Sequence, residues 1–280
     1  MTVLKTINDY NTWQSGLSSN CCVGLVPTMG ALHDGHLSLV KKSIDSCDVT
    51  IVSVFLNPLQ FSPTEDLDTY PINIDNDLKK LSKINVDAVF IPDASEIYPK
   101  GDTFTVVESS FSKTLEGKSR PQFFIGVLTV VSKLFNIIKP QKSFFGFKDA
   151  QQYLLIKKMV HDMKYPIEIV SCPTIRESNG LAMSSRNTYL SNSDRECAGV
   201  IYESLQLGEK EFNNGNVDAS KIKSVVEAHL KTESIVEIDY ISIISLNTFQ
   251  EIQDIESDAL LSLAVKINDV RLIDNIILTN

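Results

Sequence analysis

Across the first two-thirds of the chain, short apolar runs alternate with stretches whose apolar positions recur every three or four residues. The runs at 22–26, 49–55, 88–91, 143–145 and 167–170 have strand length and are rich in β-branched and aromatic side chains. Between them, Leu37, Val40 and Ile44 mark one helical stripe and Leu78, Leu81 and Ile84 another, followed by helical periodicity over 127–138 and 153–163. This alternation predicts an α/β fold, a doubly wound parallel sheet with helices on both faces. Ligands then sit at the carboxyl ends of the strands.

After about Ser191 the pattern changes. Two helical stretches, 194–213 and 218–231, are joined by Asn213-Asn214-Gly215-Asn216. Three β-rich runs follow at 235–244, 261–267 and 270–278, the last two separated by Asn268-Asp269 as a hairpin turn. The expectation is a larger domain over residues 1–187 and a smaller C-terminal α+β domain over 188–280, abutting without a long linker and able to act as a lid.

Composition narrows the class. Hydrophobic residues make up 43% and charged residues 22% of the 280 residues, and the apolar stretches are too short to span a bilayer. No basic segment followed by an apolar run opens the chain, so no secretory signal is expected. Cys21, Cys22, Cys47, Cys172 and Cys197 show no zinc-like spacing and read as reduced cytoplasmic thiols. A net charge of −9 argues against nucleic acid as a partner. One basic region stands out within this acidic chain. Residues 113–148 hold seven bases and one acid, Glu116, where a small polyanion would be drawn.

Two of the four histidines lie in His33-Asp34-Gly35-His36, just after the strand-like Val23-Gly24-Leu25-Val26 and the turn Pro27-Thr28-Met29-Gly30. Isolated, such a pair is more simply a solvated turn residue and an early helix residue. At a strand-to-helix junction, two imidazoles three residues apart point to one spot beside free backbone N–H groups, a setting suited to phosphate. A P-loop and a G-x-G-x-x-G run after the first strand are both absent from the sequence. Instead, Gly180-Leu181-Ala182-Met183-Ser184-Ser185-Arg186-Asn187 offers two hydroxyls and a guanidinium on a glycine-led loop. Taken alone, this is equally a surface turn with a helix cap.

Together these motifs resemble the HxGH and KMSKS-type signatures of the nucleotidylyltransferase superfamily. The surrounding residues are more specific. Val26 to His36, Phe55-Leu56-Asn57-Pro58-Leu59-Gln60-Phe61, Leu115-Glu116-Gly117, Lys148-Asp149-Ala150-Gln151-Gln152 and Leu181 to Asn187 closely resemble the pantothenate synthetase (pantoate–β-alanine ligase) family, in order and at the expected spacing. The resemblance runs from about Val3 to Asn275 and implies a Rossmann-like first domain. It also implies ATP-dependent joining of pantoate to β-alanine through a pantoyl adenylate, with release of AMP and pyrophosphate.

The resemblance carries roles residue by residue. It makes His33, His36, Lys148, Ser184, Ser185 and Arg186 the catalytic set. ATP would be bound by Pro27, Met29, His36, Gly146, Lys148, Asp149, Met183, Ser184, Ser185 and Arg186, and pantoate by Met29, Asn57, Gln60 and Gln152, with Tyr70 lining the site. Asp77 matches an acid linked to Mg²⁺ that accompanies ATP, although Asn76 stands where a second acid often occurs. A homodimer built through the larger domain is implied as well. Two positions depart from the family pattern. Gly146-Phe147-Lys148-Asp149 has phenylalanine in place of glutamate, and Pro121-Gln122-Phe123-Phe124 has phenylalanine in place of histidine, so altered nucleotide or β-alanine handling is expected in an active enzyme. A nucleotidyltransferase acting on another small acceptor is the alternative that shares the histidine and Ser-Ser-Arg motifs.

Overall fold

A computed structural model describes residues 1–62 and 67–280. Strands β1 (Thr2–Leu4), β2 (Val23–Thr28), β3 (Val49–Val54), β4 (Ala88–Phe90), β5 (Lys142–Gly146) and β6 (Glu168–Cys172) form a six-stranded sheet in the order β1-β4-β3-β2-β5-β6. All neighbouring pairs are parallel. Helices α1 (Ile7–Gln14), α2 (Asp34–Ile44), α3 (Ile74–Ser82), α4 (Ala94–Ile97), α5 (Glu116–Ser119), α6 (Phe123–Ile138) and α7 (Ala150–Asp162) connect them. From β2 the chain builds outward to β3 and β4, then returns past β2 to place β5 and β6 on the other side. Strand order therefore reverses between β2 and β5, the place where an open α/β sheet leaves a crevice for ligands.

Residues of the inner strands β2, β3 and β4 are buried on both faces because helices cover both. Val26, Val52 and Val89 pack with Leu39 and Val40 of α2 and Leu81 of α3. On the alternate positions Leu25 and Ile51 are fully buried. Phe90 meets the ring of Tyr10 of α1 at 6.2 Å, and the Tyr10 hydroxyl donates to the carbonyl of Ile138 at the end of α6 at 2.7 Å. Fully burying side chains of this size stabilises by roughly 1.5–3 kcal/mol each. The edge strand β1 lies outside the sequence expectation, since three residues are too few to establish a period.

The chain's contacts divide it into Met1–Pro173 and Thr174–Asn280. Residues 174–187, placed in the first domain on sequence grounds, pack with the second unit. Arg176 forms a two-bond ion pair with Asp274, at 2.5 and 3.1 Å, and its guanidinium lies 3.6 Å from the centre of the Tyr202 ring. In this second unit α8 (Asn192–Cys197), α9 (Val200–Asn213) and α10 (Ala219–Leu230) accompany an antiparallel sheet of β7 (Val236–Ser245), β8 (Ala259–Ile267) and β9 (Val270–Leu278). Its core joins Leu205, Ile222, Val226, Leu261 and Leu263. The single helix expected over 194–213 is interrupted at Ala198-Gly199. Asn268, at φ 51°, takes the left-handed conformation that the hairpin turn requires.

Candidate active site

Past β2 the chain turns through Met29-Gly30-Ala31-Leu32 before α2 begins. Gly30 (φ 87°) and Ala31 (φ 52°) are both left-handed, a conformation open to glycine and costly for alanine. A side chain at position 30 would be crowded as well, because its Cβ would lie 3.2 Å from Asp77 Oδ2 and 3.2 Å from Val54 Cγ1. Asp77 reaches this turn from α3. Its Oδ2 accepts the N–H of Ala31 at 2.9 Å and its Oδ1 accepts the N–H of Leu32 at 2.8 Å. Burial raises the Asp77 pKa, opposed by those two amide bonds and by the charge of Lys80.

Two histidines then cap α2 reciprocally. His33 is the N-cap, extended at φ −129° and ψ 176°. Its Nδ1 accepts the N–H of Gly35 at 3.1 Å, and His36 Nδ1 accepts the N–H of His33 at 3.4 Å. A ring nitrogen that accepts carries no proton, so each neutral imidazole bears its proton on Nε2. Burial is the main cause that lowers the pKa of His33 to about 4 and of His36 to about 3, and the positive charges of Lys148 and Lys80 lower both further. At neutral pH the site therefore holds two uncharged N–H donors, ring centres 4.1 Å apart, at the positive end of a helix.

Strand β5 supplies a cation. β2 and β5 pair only at Gly24 with Lys142 and Leu25 with Ser143. Pro27, which has no N–H to donate, lies beyond the last pair, where its presence breaks no ladder bond. At the end of β5 a Cβ on Gly146 would meet nothing within 4 Å. The short turn Phe147–Asp149 then carries Lys148, whose Nζ is 3.5 Å from Asp149 Oδ1. A helix N-terminus, two imidazole donors and an ammonium gather at the switch point, an arrangement able to stabilise phosphate charge.

Beside it, Asn57 is saturated within the protein. Its Nδ2 donates to Gln60 Oε1 (3.0 Å) and to the Gly126 carbonyl (3.1 Å), while its Oδ1 accepts from Tyr98 Oη (2.7 Å) and the Leu59 N–H (3.3 Å). Two donors and two lone pairs are thus all engaged, one of the donors on Gln60 Oε1. Gln60 Nε2 lies 2.8 Å from Met29 Sδ, which brings the expected apolar wall and amide together. Glycine at 126 is required by close approach: a Cβ there would sit 2.4 Å from the Leu59 carbonyl oxygen. Tyr70 is buried with its ring 6.0 Å from Phe61. On α7 the two adjacent glutamines differ. Gln151 turns inward, donating to the carbonyls of Phe111 and Thr114 and accepting from Glu116 N–H, whereas Gln152 remains half-exposed.

In the second unit, Arg176 bridges Ala182 across a turn containing Gly180. Ser184 caps the short helix Ser185–Tyr189, its hydroxyl accepting the Arg186 N–H at 3.3 Å. Asn187 donates to Glu177 Oε1 (2.7 Å) and to the Ala182 carbonyl (3.1 Å), and Glu177 is held in turn by Arg195 at 2.6 and 2.8 Å. Met183, Ser184, Ser185 and Arg186 are half-buried on this anchored loop.

A family model described as pantoate-beta-alanine ligase matches residues 2–277. The chain belongs to the pantoate-beta-alanine ligase family. It is 44% identical to a pantothenate synthetase of Thermotoga petrophila over 99% of this chain and 100% of that one. With a pantothenate synthetase of Carboxydothermus hydrogenoformans it shares 48% identity over 91% of each. A crystal structure of pantothenate synthetase from Thermus thermophilus superposes with a TM-score of 0.95 at 37% identity, covering 100% of both chains. A second ligase of the family, from Francisella tularensis and complexed with beta-gamma ATP and beta-alanine, gives a TM-score of 0.81 at 37% identity, covering 99% of this chain and 97% of that one. This chain is accordingly an enzyme of the ligase class, in pantothenate biosynthesis.

The two positions that depart from the ligase family pattern have definite surroundings. Phe123 lies against Phe124, ring centres 4.9 Å apart, with the Arg120 guanidinium 3.8 Å from its ring centre. Phe147 lies 5.6 Å from the Tyr153 ring. Three features escaped the sequence: Tyr98 behind Asn57, Lys80 beside the histidines, and the use of Asp77 as a support for the turn. Lys80 alone had a signal, since it stands three residues beyond Asp77 on one helix face.

Proposed function

We propose that this ligase forms pantothenate in two steps at the β2–β5 crevice. A carboxylate oxygen of pantoate attacks the α-phosphorus of ATP, the bond from that phosphorus to the oxygen bridging it to the β-phosphate breaks, and pyrophosphate leaves. The amine of β-alanine then attacks the acyl carbon of the adenylate, AMP departs with the acyl C–O electron pair, and the amine loses a proton. The observation that carries this reading is the pair of imidazoles whose Nδ1 atoms are occupied by backbone amides. Each ring keeps its Nε2–H for an acceptor, and such fixed donors stabilise charge as it develops on phosphate.

The remaining roles are those that the family resemblance implies. Lys148 supplies positive charge to the phosphates, and Asp149 and Gly146 border the nucleotide, with Asp149 serving the ribose. Met29 and Gln60, the latter oriented by Asn57, receive the apolar and polar ends of pantoate, with Gln152 as a further amide. Ser184, Ser185 and Arg186 are further phosphate donors. Mg²⁺ belongs to the substrate as the ATP complex. Among the described residues no group of three or more His, Cys, Asp or Glu side chains could hold a metal, and both oxygens of Asp77 already accept amides. Mg²⁺ keeps several of its waters and is held by substrate phosphates with at most one or two carboxylates, so no larger protein cluster is called for. The protein acts as a homodimer through its first unit, a reading supported by the exposure of Phe104 (86%) and Val107 (59%).

Incubation with MgATP, pantoate and β-alanine should yield AMP, pyrophosphate and pantothenate in equal amounts, measured by mass spectrometry. Formation of ADP and phosphate would overturn the scheme, because an acyl phosphate is made by cleavage at the γ position.

A further inference from the structure

Helix α3 grips the turn before His33 at two points. Asp77 takes the N–H groups of Ala31 and Leu32, and Lys80, one turn further along the same face, donates to the Leu32 carbonyl. Acid binds the donors and ammonium binds the acceptor, so the two side chains read opposite polarities of one short backbone segment. That segment needs support. Ala31 sits at φ 52°, which costs a non-glycine residue of order 1 kcal/mol, and Leu32 directly precedes the N-cap of α2. The contacts span 45 to 48 residues of sequence. Asp77 is also 1% exposed, closing the carboxylate off from an incoming cation.

From this geometry we infer that Asp77 and Lys80 form a clip whose task is to hold the His33–His36 cap in register, and that Asp77 is a positioning residue and not a ligand of Mg²⁺. The inference rests on the reading of His33 and His36 as phosphate donors. A fixed donor loses rate steeply when it shifts by an ångström, so the clip acts through the histidines. Lys80, like Lys148, brings positive charge to bear on both histidines at a helix N-terminus, where a cation is unfavourable until an anion arrives.

The test compares wild type with Asp77→Asn, Lys80→Met and the double variant. Three quantities are read: kcat, the Mg²⁺ concentration at half-maximal rate under fixed ATP, and hydrogen exchange at the Ala31 and Leu32 amides. Asparagine turns an N–H group toward one of those amides, and methionine removes only the ammonium. Each single variant should lower kcat by ~10-fold or more, leave the Mg²⁺ requirement within about twofold of wild type, and the double variant should lose less than the product of the two. The amides should exchange at least ~10-fold faster in Asp77→Asn. Recovery of the Asp77→Asn rate by excess Mg²⁺, full activity in Lys80→Met, or unchanged exchange at both amides would overturn the clip. The exchange measurement stands without turnover, so a wild type that made no pantothenate would sink the proposed function and leave the clip decided on its own terms. Lys80→Met keeps the carboxylate in place should Asp77→Asn fail to fold.

Discussion

An uncharged imidazole is a modest donor to a ground-state phosphate and a better one as negative charge grows, which is why protonation state matters at His36. In the proposed two-step scheme, charge on the α-phosphoryl oxygens peaks while pyrophosphate departs, whereas amine attack builds charge on the acyl oxygen. Stabilisers act where charge develops. His36→Ala and Lys148→Ala should therefore slow adenylate formation by on the order of 10²-fold or more. Both should leave the reaction of preformed pantoyl adenylate with β-alanine nearly normal, as single-turnover pyrophosphate release followed by a β-alanine chase would show. Equal losses in both half-reactions would mean that these side chains support architecture. At this scale the sequence displayed the groups proposed to carry chemistry and concealed those that hold their surroundings in place. His33, His36 and Lys148 stand in short contiguous motifs. Asp77 and Lys80 act through backbone atoms more than 40 residues away, and the saturation of Asn57 depends on Tyr98 and Gly126, from two other segments.

At the scale of elements, the reciprocal cap makes α2 a pH-sensitive helix. His33 and His36 titrate at about 4 and about 3 in the fold and near 6.5 in an unfolded chain. Between pH 6.5 and about 4 the unfolded state binds more protons than the native state, so stability is retained above 6.5 and falls as pH falls through that window. Each histidine contributes a slope of at most ~1.4 kcal/mol per pH unit. Urea unfolding from pH 7 to 4.5 should show this loss, and His33→Asn, which keeps a good N-cap without a titrating group, should remove about one proton from the slope. An identical slope in both proteins would show that His33 is not held neutral. Long periodic elements were legible because burial on one or both faces writes itself into the residues. Three-residue β1 had no period to show. The break between α8 and α9 was hidden for a different reason, since apolar spacing continues across Ala198-Gly199 although the helix does not.

At the scale of the whole molecule, contacts and not periodicity decide where one unit ends. The strand-and-helix alternation stops near Ser191, yet Arg176 pairs with Asp274, 98 residues later, and so takes the Ser-Ser-Arg loop into the second unit. That loop is consequently carried by a core of its own, and substitutions at the Arg176–Asp274 pair should reach it before they reach the histidines. Oligomeric state is the remaining property at this scale. A net charge of −9 favours solubility and does not favour self-association, so a dimer has to be held by local apolar surface. Phe104 and Val107 are the surface proposed for it: they are exposed large hydrophobics three residues apart, in a run without helix or strand, and Lys133 and Asp102 form an ion pair nearby at 2.6 Å. An aromatic side chain left in water loses roughly 1.5–3 kcal/mol relative to burial, and two copies double that incentive. Sedimentation at micromolar concentration should give twice the chain mass of 31.2 kDa, and Phe104→Asp should shift the protein toward the monomer by burying an unpaired charge at the contact. A wild type that sediments as a monomer would remove the dimer. A Phe104→Asp variant that stays dimeric would place the interface on another surface of the first unit.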